Sequence, residues 1–249
     1  MKIEFTHYSL FHGGDTVLND VSLQVPANSV LTVFGPGGSG KSGLLRSINR
    51  MAELEGGERH AGDVLLDGAS VFAPQVDVAD LRRRAPMVFA QPVPLPMSIF
   101  ENVVYGLRLK GVRDRRRLSE VAERALRDAT LWDELKDRLA TSALALSGGQ
   151  QQRLGIARAL ALEPEVLLLD TPTAALDPIA TAKIEELVRQ LRARYTIIVV
   201  PHSIQQATRI ADIGAFLLQG QLVESGPARQ LFVAPQDERT RRYLTGRFG

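Results

Sequence analysis

Residues 35–42 read Gly-Pro-Gly-Gly-Ser-Gly-Lys-Ser and fit the pattern G-x-x-x-x-G-K-[ST]. Glycines let a backbone curl round an anion with its N–H groups pointing inward, and a helix N-terminus adds a favourable dipole. In such a loop Lys41 reaches the β- and γ-phosphates of a nucleotide, and the Ser42 hydroxyl binds Mg²⁺. The pattern therefore predicts a phosphate-binding loop.

The flanking segments supply the context that this motif requires. Val30–Phe34 is apolar and β-branched and predicts a buried strand, while residues from Ser42 to about Met51 predict a helix. A strand, a glycine-rich loop and a helix in this order favour nucleotide binding over a glycine-rich turn that holds a chance lysine.

A carboxylate follows a second apolar strand, Val166–Leu169. Asp170 at the C-terminal end of a parallel strand would face the ligand crevice, where it can hold Mg²⁺ through water beside Ser42. An aspartate after a strand is more often a helix cap, but the phosphate loop favours the metal role here.

A second candidate anion site lies at Leu146–Gln150, which reads Leu-Ser-Gly-Gly-Gln before the helical run Gln151–Leu162. Ser147 and two glycines would offer a hydroxyl and free N–H groups at a helix N-terminus. One chain needs one phosphate loop, so this second site suggests the nucleotide of a partner. The pentapeptide alone does not exclude the alternative of an ordinary serine N-cap.

Composition bounds the class of protein. The 249 residues suit one α/β domain with an inserted subdomain, and 45% hydrophobic and 23% charged residues are ordinary for a globular chain. A formal charge of +2 does not indicate nucleic acid, and the absence of cysteine excludes disulfides and thiolate metal sites. Arginine clusters such as 115–117 are interpreted as solvated helix faces rather than as a surface for an acidic partner. The N-terminus lacks the apolar core of a signal peptide, and no apolar run approaches the length of a membrane span, so any function at a membrane requires a partner.

Hydrophobic periodicity gives a coarse order of elements. It predicts antiparallel strands at Ile3–Phe5 and Val17–Val25, a short strand within 62–68, and a mainly helical segment over about 78–141. The strand 166–169, the helix 179–194 and the strand 196–200 are predicted to form a right-handed crossover. A hairpin is predicted to turn at Gln219-Gly220.

Four features occur in one order: the phosphate loop, the Leu-Ser-Gly-Gly-Gln signature, the strand ending in Asp170, and His202 after the last core strand. In this the chain resembles the ATP-binding subunits of ABC transporters along essentially its whole length. The resemblance implies an α/β P-loop NTPase core with a parallel sheet, an N-terminal antiparallel β subdomain and an inserted helical subdomain. Residues 1–77 and 148–249 would form the core with the β subdomain, and about 78–147 the helical subdomain with the signature at its end.

The resemblance also implies a mechanism and a set of site residues. Two subunits sandwich two ATP molecules with Mg²⁺, each between one phosphate loop and the signature of the other subunit, and closure of this homodimer drives membrane subunits. Catalytic positions would be Asp170, His202, Gln91 and Thr171, and metal positions Ser42, Asp170 and Gln91. ATP-binding positions would be Phe11, His12, Gly35, Pro36, Gly37, Gly38, Ser39, Gly40, Lys41, Ser42, Gly43, Ser147, Gly148, Gly149, Gln150 and Asp177.

Further segments are similar to the phosphate-import subfamily. They are Leu45–Met51, Leu81–Arg84, Pro92–Ile99, Leu131–Glu134 and Tyr243–Gly249. The similarity implies an importer ATPase at the cytoplasmic face of the membrane, peripheral to it. Two integral membrane permease subunits would dock near Gln91 to Leu107. A periplasmic or extracellular phosphate-binding protein would act indirectly, and no nucleic acid would be involved.

The chain departs from the family pattern at several positions of the predicted ATP-binding pocket. The family has Asp-Glu where this chain has Asp170-Thr171, and that Glu is the expected general base; Thr cannot take a proton near neutral pH. The γ-phosphate-sensing Gln is displaced by one residue, because Ala90 precedes Gln91. The other departures are Gly43 for Thr after the loop serine, Pro201 for Thr before His202, Ala174 for Ser, and His12 where an aromatic residue would stack on adenine, with Phe11 as the neighbouring candidate.

Three functions compete. The first is an importer ATPase with residual turnover from positioning and Mg²⁺. The second is a hydrolysis-impaired, nucleotide-gated dimerisation module that binds ATP and stays closed. The third, a soluble ABC ATPase of DNA repair or translation, is disfavoured because such proteins usually carry paired cassettes or long coiled-coil insertions.

Overall fold

The computed structural model describes residues 1–247, and within them two sheets carry helices on their faces. The strands are β1 (Ile3–His12), β2 (Asp15–Val25), β3 (Val30–Phe34), β4 (Glu58–Leu66), β5 (Ala69–Ser70), β6 (Met87–Val88), β7 (Val166–Asp170), β8 (Thr196–Val200), β9 (Ile213–Leu218) and β10 (Gln221–Pro227). The helices are α1 (Lys41–Ile48), α2 (Val78–Arg84), α3 (Ile99–Leu109), α4 (Arg115–Asp128), α5 (Trp132–Leu135), α6 (Gly148–Leu160), α7 (Pro178–Leu191), α8 (Ile204–Ile210), α9 (Ala228–Leu231) and α10 (Glu238–Leu244).

The central sheet has the order β10-β9-β3-β8-β7-β6. Its strands β3, β7 and β8 are buried along their whole length, as expected of continuous apolar runs in a sheet covered on both faces. They run parallel, so the residues after β3 and after β7 meet at the same edge. The predicted order of strand, helix and parallel strand is confirmed as β7–α7–β8.

The second sheet is antiparallel, with the order β2-β1-β4-β5. The predicted strand Ile3–Phe5 was too short, because β1 continues to His12. A register shift between Thr6 and Ser9 on the β4 side, with His7 at φ 47°, interrupts the alternation by which a strand is recognised in sequence. The N-terminal antiparallel β subdomain is therefore a full sheet.

The helical part has an apolar core of its own, which runs from Ile99 to Ala161 and is built from α3, α4, α5 and α6. The segment 78–141 is not purely helical, however. Leu81 of α2 packs into the main core, and β6 pairs with β7 as the edge of the central sheet. A two-residue strand after Pro86 is too short to produce a periodic pattern, so sequence analysis missed it.

The predicted hairpin near the C-terminus is confirmed. Strands β9 and β10 pair antiparallel around Gln219 and Gly220, whose φ angles of 49° and 79° suit a two-residue turn with both residues left-handed. No helix among residues 1–247 is both long and apolar enough to cross a membrane. The end of the matched segment Tyr243–Gly249, residues 248 and 249, lies outside the described residues.

Candidate nucleotide-binding site

The predicted phosphate loop connects β3 to α1. Two of its glycines are required by the backbone: a Cβ at Gly35 would lie 2.0 Å from the Leu217 carbonyl oxygen, and one at Gly40 would lie 2.5 Å from that of Val17. Both have positive φ, at 146° and 87°. Close packing against β9 and β2 therefore restricts these two loop positions to glycine.

Lys41 lies folded across the loop. Its Nζ donates to the carbonyl oxygens of Gly35, at 2.9 Å, and Pro36, at 2.5 Å. Burial lowers the pKa of the Lys41 ammonium, and the nearby charge of Asp170 opposes this shift. The ammonium is thus held at the loop by weak carbonyl acceptors, which a phosphate oxygen can replace.

Ser42 and Asp170 are brought together as predicted. The Ser42 Oγ donates to Asp170 Oδ1 at 3.1 Å, and Asp170 is 7% exposed at the end of β7. A hydroxyl and a carboxylate are both oxygen ligands of the kind that Mg²⁺ prefers. The residues present therefore fit a magnesium ion, which Ser42 and Asp170 would hold.

Thr171 occupies a strained position beside that pair. Its φ is 47°, an uncommon value for a β-branched residue, and its N–H donates to the Val200 carbonyl at 2.9 Å. Its Oγ1 donates to Asp170 Oδ1 at 3.4 Å. The side chain is next to the phosphate loop, but its hydroxyl is no proton acceptor near neutral pH.

His202 follows β8 and is exposed. Its backbone N–H donates to Gln206 Oε1 at 2.8 Å, and the same oxygen accepts from Thr173 Oγ1 at 3.1 Å. The buried Gln206 thus joins the loop after β7 to the loop after β8. Gln206 was not predictable from the sequence, since a glutamine in the first turn of a helix carries no distinctive pattern.

The signature residues begin α6. Ser147 Oγ accepts from the Gln150 N–H at 3.3 Å, and Gln150 Oε1 accepts from the Ser147 N–H at 3.2 Å, so they form a capping box. The N-cap alternative is therefore correct within the chain. The cap is compatible with anion binding, because a capped N-terminus still presents the helix dipole to an anion.

A cavity of 470 Å³ opens at this helix end, lined also by Glu134, Asp177 and Lys183. Asp177 Oδ1 caps α7 by accepting from the N–H groups of Ile179 and Ala180. The structure therefore places Asp177 beside the signature of its own chain.

Glu134 is the centre of an ion network in that cavity. Its Oε1 accepts from Arg153 at 3.0 Å and from Lys183 at 3.2 Å, and its Oε2 accepts from Gln150 at 2.9 Å. Burial raises the pKa of Glu134, but hydrogen bonds from Gln150 and Lys183 and the charge of Arg153 outweigh it and hold the pKa below its usual value. These contacts join α5, α6 and α7, and sequence analysis did not predict them.

Gln91 is not brought to the other metal candidates. It is exposed and lines a separate cleft with Tyr105 and Arg158, and within residues 1–247 no hydrogen bond joins it to Ser42 or Asp170. Its position as a metal ligand in this conformation is therefore not supported.

Phe11 and His12, the two candidates for adenine stacking, lie at the end of β1. The β1–β2 hairpin packs on the phosphate loop through Val17. His12 is 46% exposed at its side chain, and its Nδ1 lies 3.7 Å from Glu58 Oε1. A Cβ at Gly43 would lie 3.0 Å from Val17 Cγ1 and 3.2 Å from Leu10 Cδ2. A side chain at position 43 would therefore require the ends of the Val17 and Leu10 side chains to shift by a few tenths of an ångström.

Comparisons with known proteins agree with this geometry. The family model described as "ABC transporter" matches residues 18–174. The chain is 53% identical over 247 residues, 99% of its length and 91% of the relative, to "Phosphate import ATP-binding protein PstB 1" of Vibrio parahaemolyticus serotype O3:K6. Its fold matches cbiO1 of Clostridium perfringens, described as part of the ABC transporter complex cbiONQ, with a TM-score of 0.83, 22% identity, and coverage of 99% of this chain and 96% of that one. The chain therefore belongs to the ABC transporter family, as an ATP-binding subunit with the ABC ATPase fold.

Proposed function

We propose that the chain is the ATP-binding subunit of an importer of inorganic phosphate. In this function a head-to-tail homodimer couples ATP binding and hydrolysis to transport by two membrane permease subunits. The Ser42–Asp170 contact of 3.1 Å beside Lys41 is the observation that carries nucleotide binding. The phosphate cargo is supported by the 53% identity to a phosphate import protein.

Each residue of the loop has a defined task in this proposal. Lys41 exchanges its carbonyl acceptors for the β- and γ-phosphates, and the N–H groups of residues 37–41 surround the phosphate chain. Ser42 and Asp170 would hold Mg²⁺, which would supply positive charge to offset that of the phosphate groups. His202, after β8, would contact the γ-phosphate.

The second half of each site comes from the partner subunit in this proposal. The N-terminus of α6 at Ser147, Gly148 and Gly149 provides N–H groups and a helix dipole for the partner's γ-phosphate. The 470 Å³ cavity at this helix end supports the proposal, since it leaves space in front of the signature.

Docking of the permease subunits is proposed at the stretch from Gln91 to Leu107. A cleft of 340 Å³ lies there, lined mainly by apolar residues from β6, α3 and α6, with Val93 60% and Tyr105 38% exposed at the surface. Such a cleft suits an apolar segment of a permease. The protein would then act from the cytoplasmic face of the membrane, and a phosphate-binding protein outside would deliver the cargo.

Phosphate uptake by cells that carry the complete transporter tests this proposal. Cells with the parent chain are expected to accumulate labelled phosphate, and Lys41→Ala is expected to abolish uptake. Val93→Asp should also lower uptake but leave ATP binding by the purified subunit unchanged. Phosphate uptake that continues with Lys41→Ala would contradict the phosphate importer, and so would a parent chain that supports uptake of another anion but not of phosphate.

Thr171 favours a second candidate, a nucleotide-gated dimerisation module with impaired hydrolysis. Loss of a general base typically costs about 10²–10⁴-fold in rate, whereas Lys41, Ser42 and Asp170 still support binding. ATP should then produce a long-lived dimer with little phosphate release. Single-turnover hydrolysis measured beside sedimentation of the ATP-bound protein distinguishes the two candidates, because the importer ATPase should return to monomer as ATP is consumed.

A further inference from the structure

We propose that His12, Glu55 and Glu58 form a site for a divalent transition metal ion of the zinc type, separate from the Mg²⁺ position at Ser42. One ligand atom from each residue lies within 4.8 Å of the others. The site is at the end of the antiparallel sheet, where β1 finishes and β4 begins.

The two strand residues face each other directly. His12 and Glu58 are register partners in the β1–β4 pair, and His12 Nδ1 lies 3.7 Å from Glu58 Oε1. Ligand atoms bound to tetrahedral zinc at about 2.0–2.1 Å lie about 3.3 Å from each other. A closure of a few tenths of an ångström therefore brings this pair to ligand spacing.

Glu58 is the observation that points to a cation. Its side chain is 7% exposed, and its Oε2 has no hydrogen-bond partner among the described residues. A buried carboxylate oxygen without a partner costs free energy that a bound cation would offset.

Glu55 completes the set from a short connection. It ends the 3₁₀ segment Ala52–Glu55, and Gly56 and Gly57 follow it with φ of 75° and 71°. Two successive glycines let the backbone re-orient Glu55 towards the strand pair at little steric cost. Glu55 is held at present by an ion pair with Arg46, which therefore competes with the metal.

The donor set selects the kind of metal. One imidazole nitrogen and two carboxylates suit Zn²⁺, Co²⁺ or Ni²⁺, while Mg²⁺ prefers oxygen ligands and keeps its waters. Three protein ligands leave one position of a tetrahedral ion for water or for a fourth group.

Metal titration of the purified full-length protein without nucleotide tests the proposal. Zn²⁺ binding is measured by calorimetry, and Co²⁺ binding by its visible absorption. His12→Ala and Glu58→Gln are each expected to lower the affinity by about 100-fold or more, since even residues that only orient a ligand account for 10–100-fold. His7→Ala is the matched control, because His7 also pairs with one carboxylate, Asp20, on the same sheet.

Arg46→Gln provides a test in the opposite direction. It frees Glu55 and removes a positive charge, so Zn²⁺ affinity should rise several-fold, and the part of the rise that is due to Glu55 should disappear in combination with Glu55→Gln. The proposal is overturned if the parent binds Zn²⁺ no tighter than the His12→Ala variant, or if His7→Ala lowers affinity as much as His12→Ala does. It is also overturned if Arg46→Gln leaves the affinity unchanged.

Discussion

Restoring a carboxylate at position 171 should raise ATP hydrolysis strongly. The backbone there is fixed by the hydrogen bond from the Thr171 N–H to the Val200 carbonyl, and the side chain starts beside Asp170 and Ser42. A glutamate built on this backbone extends from the end of β7 towards the phosphate loop, where it can accept a proton from an attacking water.

The size of the gain follows from the role of the carboxylate. A positioned general base contributes about 10²–10⁴-fold, which corresponds to about 2.7–5.5 kcal/mol of the barrier. Folding should change little. Thr171 has φ of 47°, and replacing its β-branched side chain by an unbranched one should alter the free energy of unfolding by less than about 1 kcal/mol. A large change in rate with a small change in stability is therefore expected.

The assay is single-turnover phosphate release from Mg²⁺-ATP with saturating protein. Thr171→Gln is the matched control, since glutamine has the shape of glutamate but accepts no proton at neutral pH. Lys41→Ala in the Thr171→Glu background should remove the gain. Urea unfolding of the same variants measures stability.

Two results would refute the reasoning. If Thr171→Glu leaves the rate within about threefold of the parent, the missing carboxylate does not limit hydrolysis, because the expected gain is about 10²-fold or more. If Thr171→Gln accelerates hydrolysis as much as Thr171→Glu, the gain comes from shape or relieved strain and not from proton transfer.

Three further outcomes are expected. Lys183→Gln removes a cation at the mouth of the signature cavity and should weaken ATP-dependent dimerisation about fivefold, whereas Lys183→Arg should not; equal sedimentation of both variants would contradict this. Hydrogen bonds from the Arg84 guanidinium lower the pKa of Glu165 to about 2. The stabilisation that ionised Glu165 contributes is therefore complete above its ordinary pKa of 4.5 and is lost as the pH falls through about 2. Glu165→Gln should cost about 1–2 kcal/mol near neutral pH, after allowance for exposure, and less than about 0.5 kcal/mol at about pH 2. A cost independent of pH in urea unfolding would contradict this. Gly40→Ala should lower the free energy of unfolding by more than about 2 kcal/mol, since the added Cβ would lie 2.5 Å from the Val17 carbonyl oxygen. The added Cβ of Gly37→Ala would have no neighbour within 4 Å, so this variant should cost less than about 1 kcal/mol. Thermal unfolding of both variants measures the difference.

The parts of the fold that were predictable depend on local patterns. The phosphate loop between β3 and α1 and the turn at Gln219-Gly220 each follow from residue types that are close together in the sequence, and the crossover from β7 to β8 follows from three local patterns in succession. The meeting of Ser42 with Asp170 was also predictable, because parallel strands bring their carboxyl ends to one edge.

The rest depends on contacts between residues far apart in the chain. Strand β6 is recognised only by its pairing with β7, and Gln206 only by the two loops that it joins. The network round Glu134 requires the packing of three helices. The place of Gln91 also depends on packing, since the Phe89 carbonyl just before it is held by Gln152 at 2.9 Å.

Complementation between two inactive variants tests most directly the claim that each ATP lies between two subunits. Lys41→Ala disables the phosphate loop. Gly148→Asp disables the signature by repelling phosphate, and folding should tolerate it, because the added Cβ lies 3.9 Å from Leu176 and an acidic residue suits a helix N-terminus.

Neither variant should dimerise alone with Mg²⁺-ATP, because each homodimer lacks an intact site. Their mixture should form a heterodimer, in which one site joins the intact loop of the Gly148→Asp chain to the intact signature of the Lys41→Ala chain. Sedimentation in the presence of ATP measures this. A heterodimer that appears only in the mixture is the predicted result, and a mixture that stays monomeric while the parent chain dimerises would contradict the account.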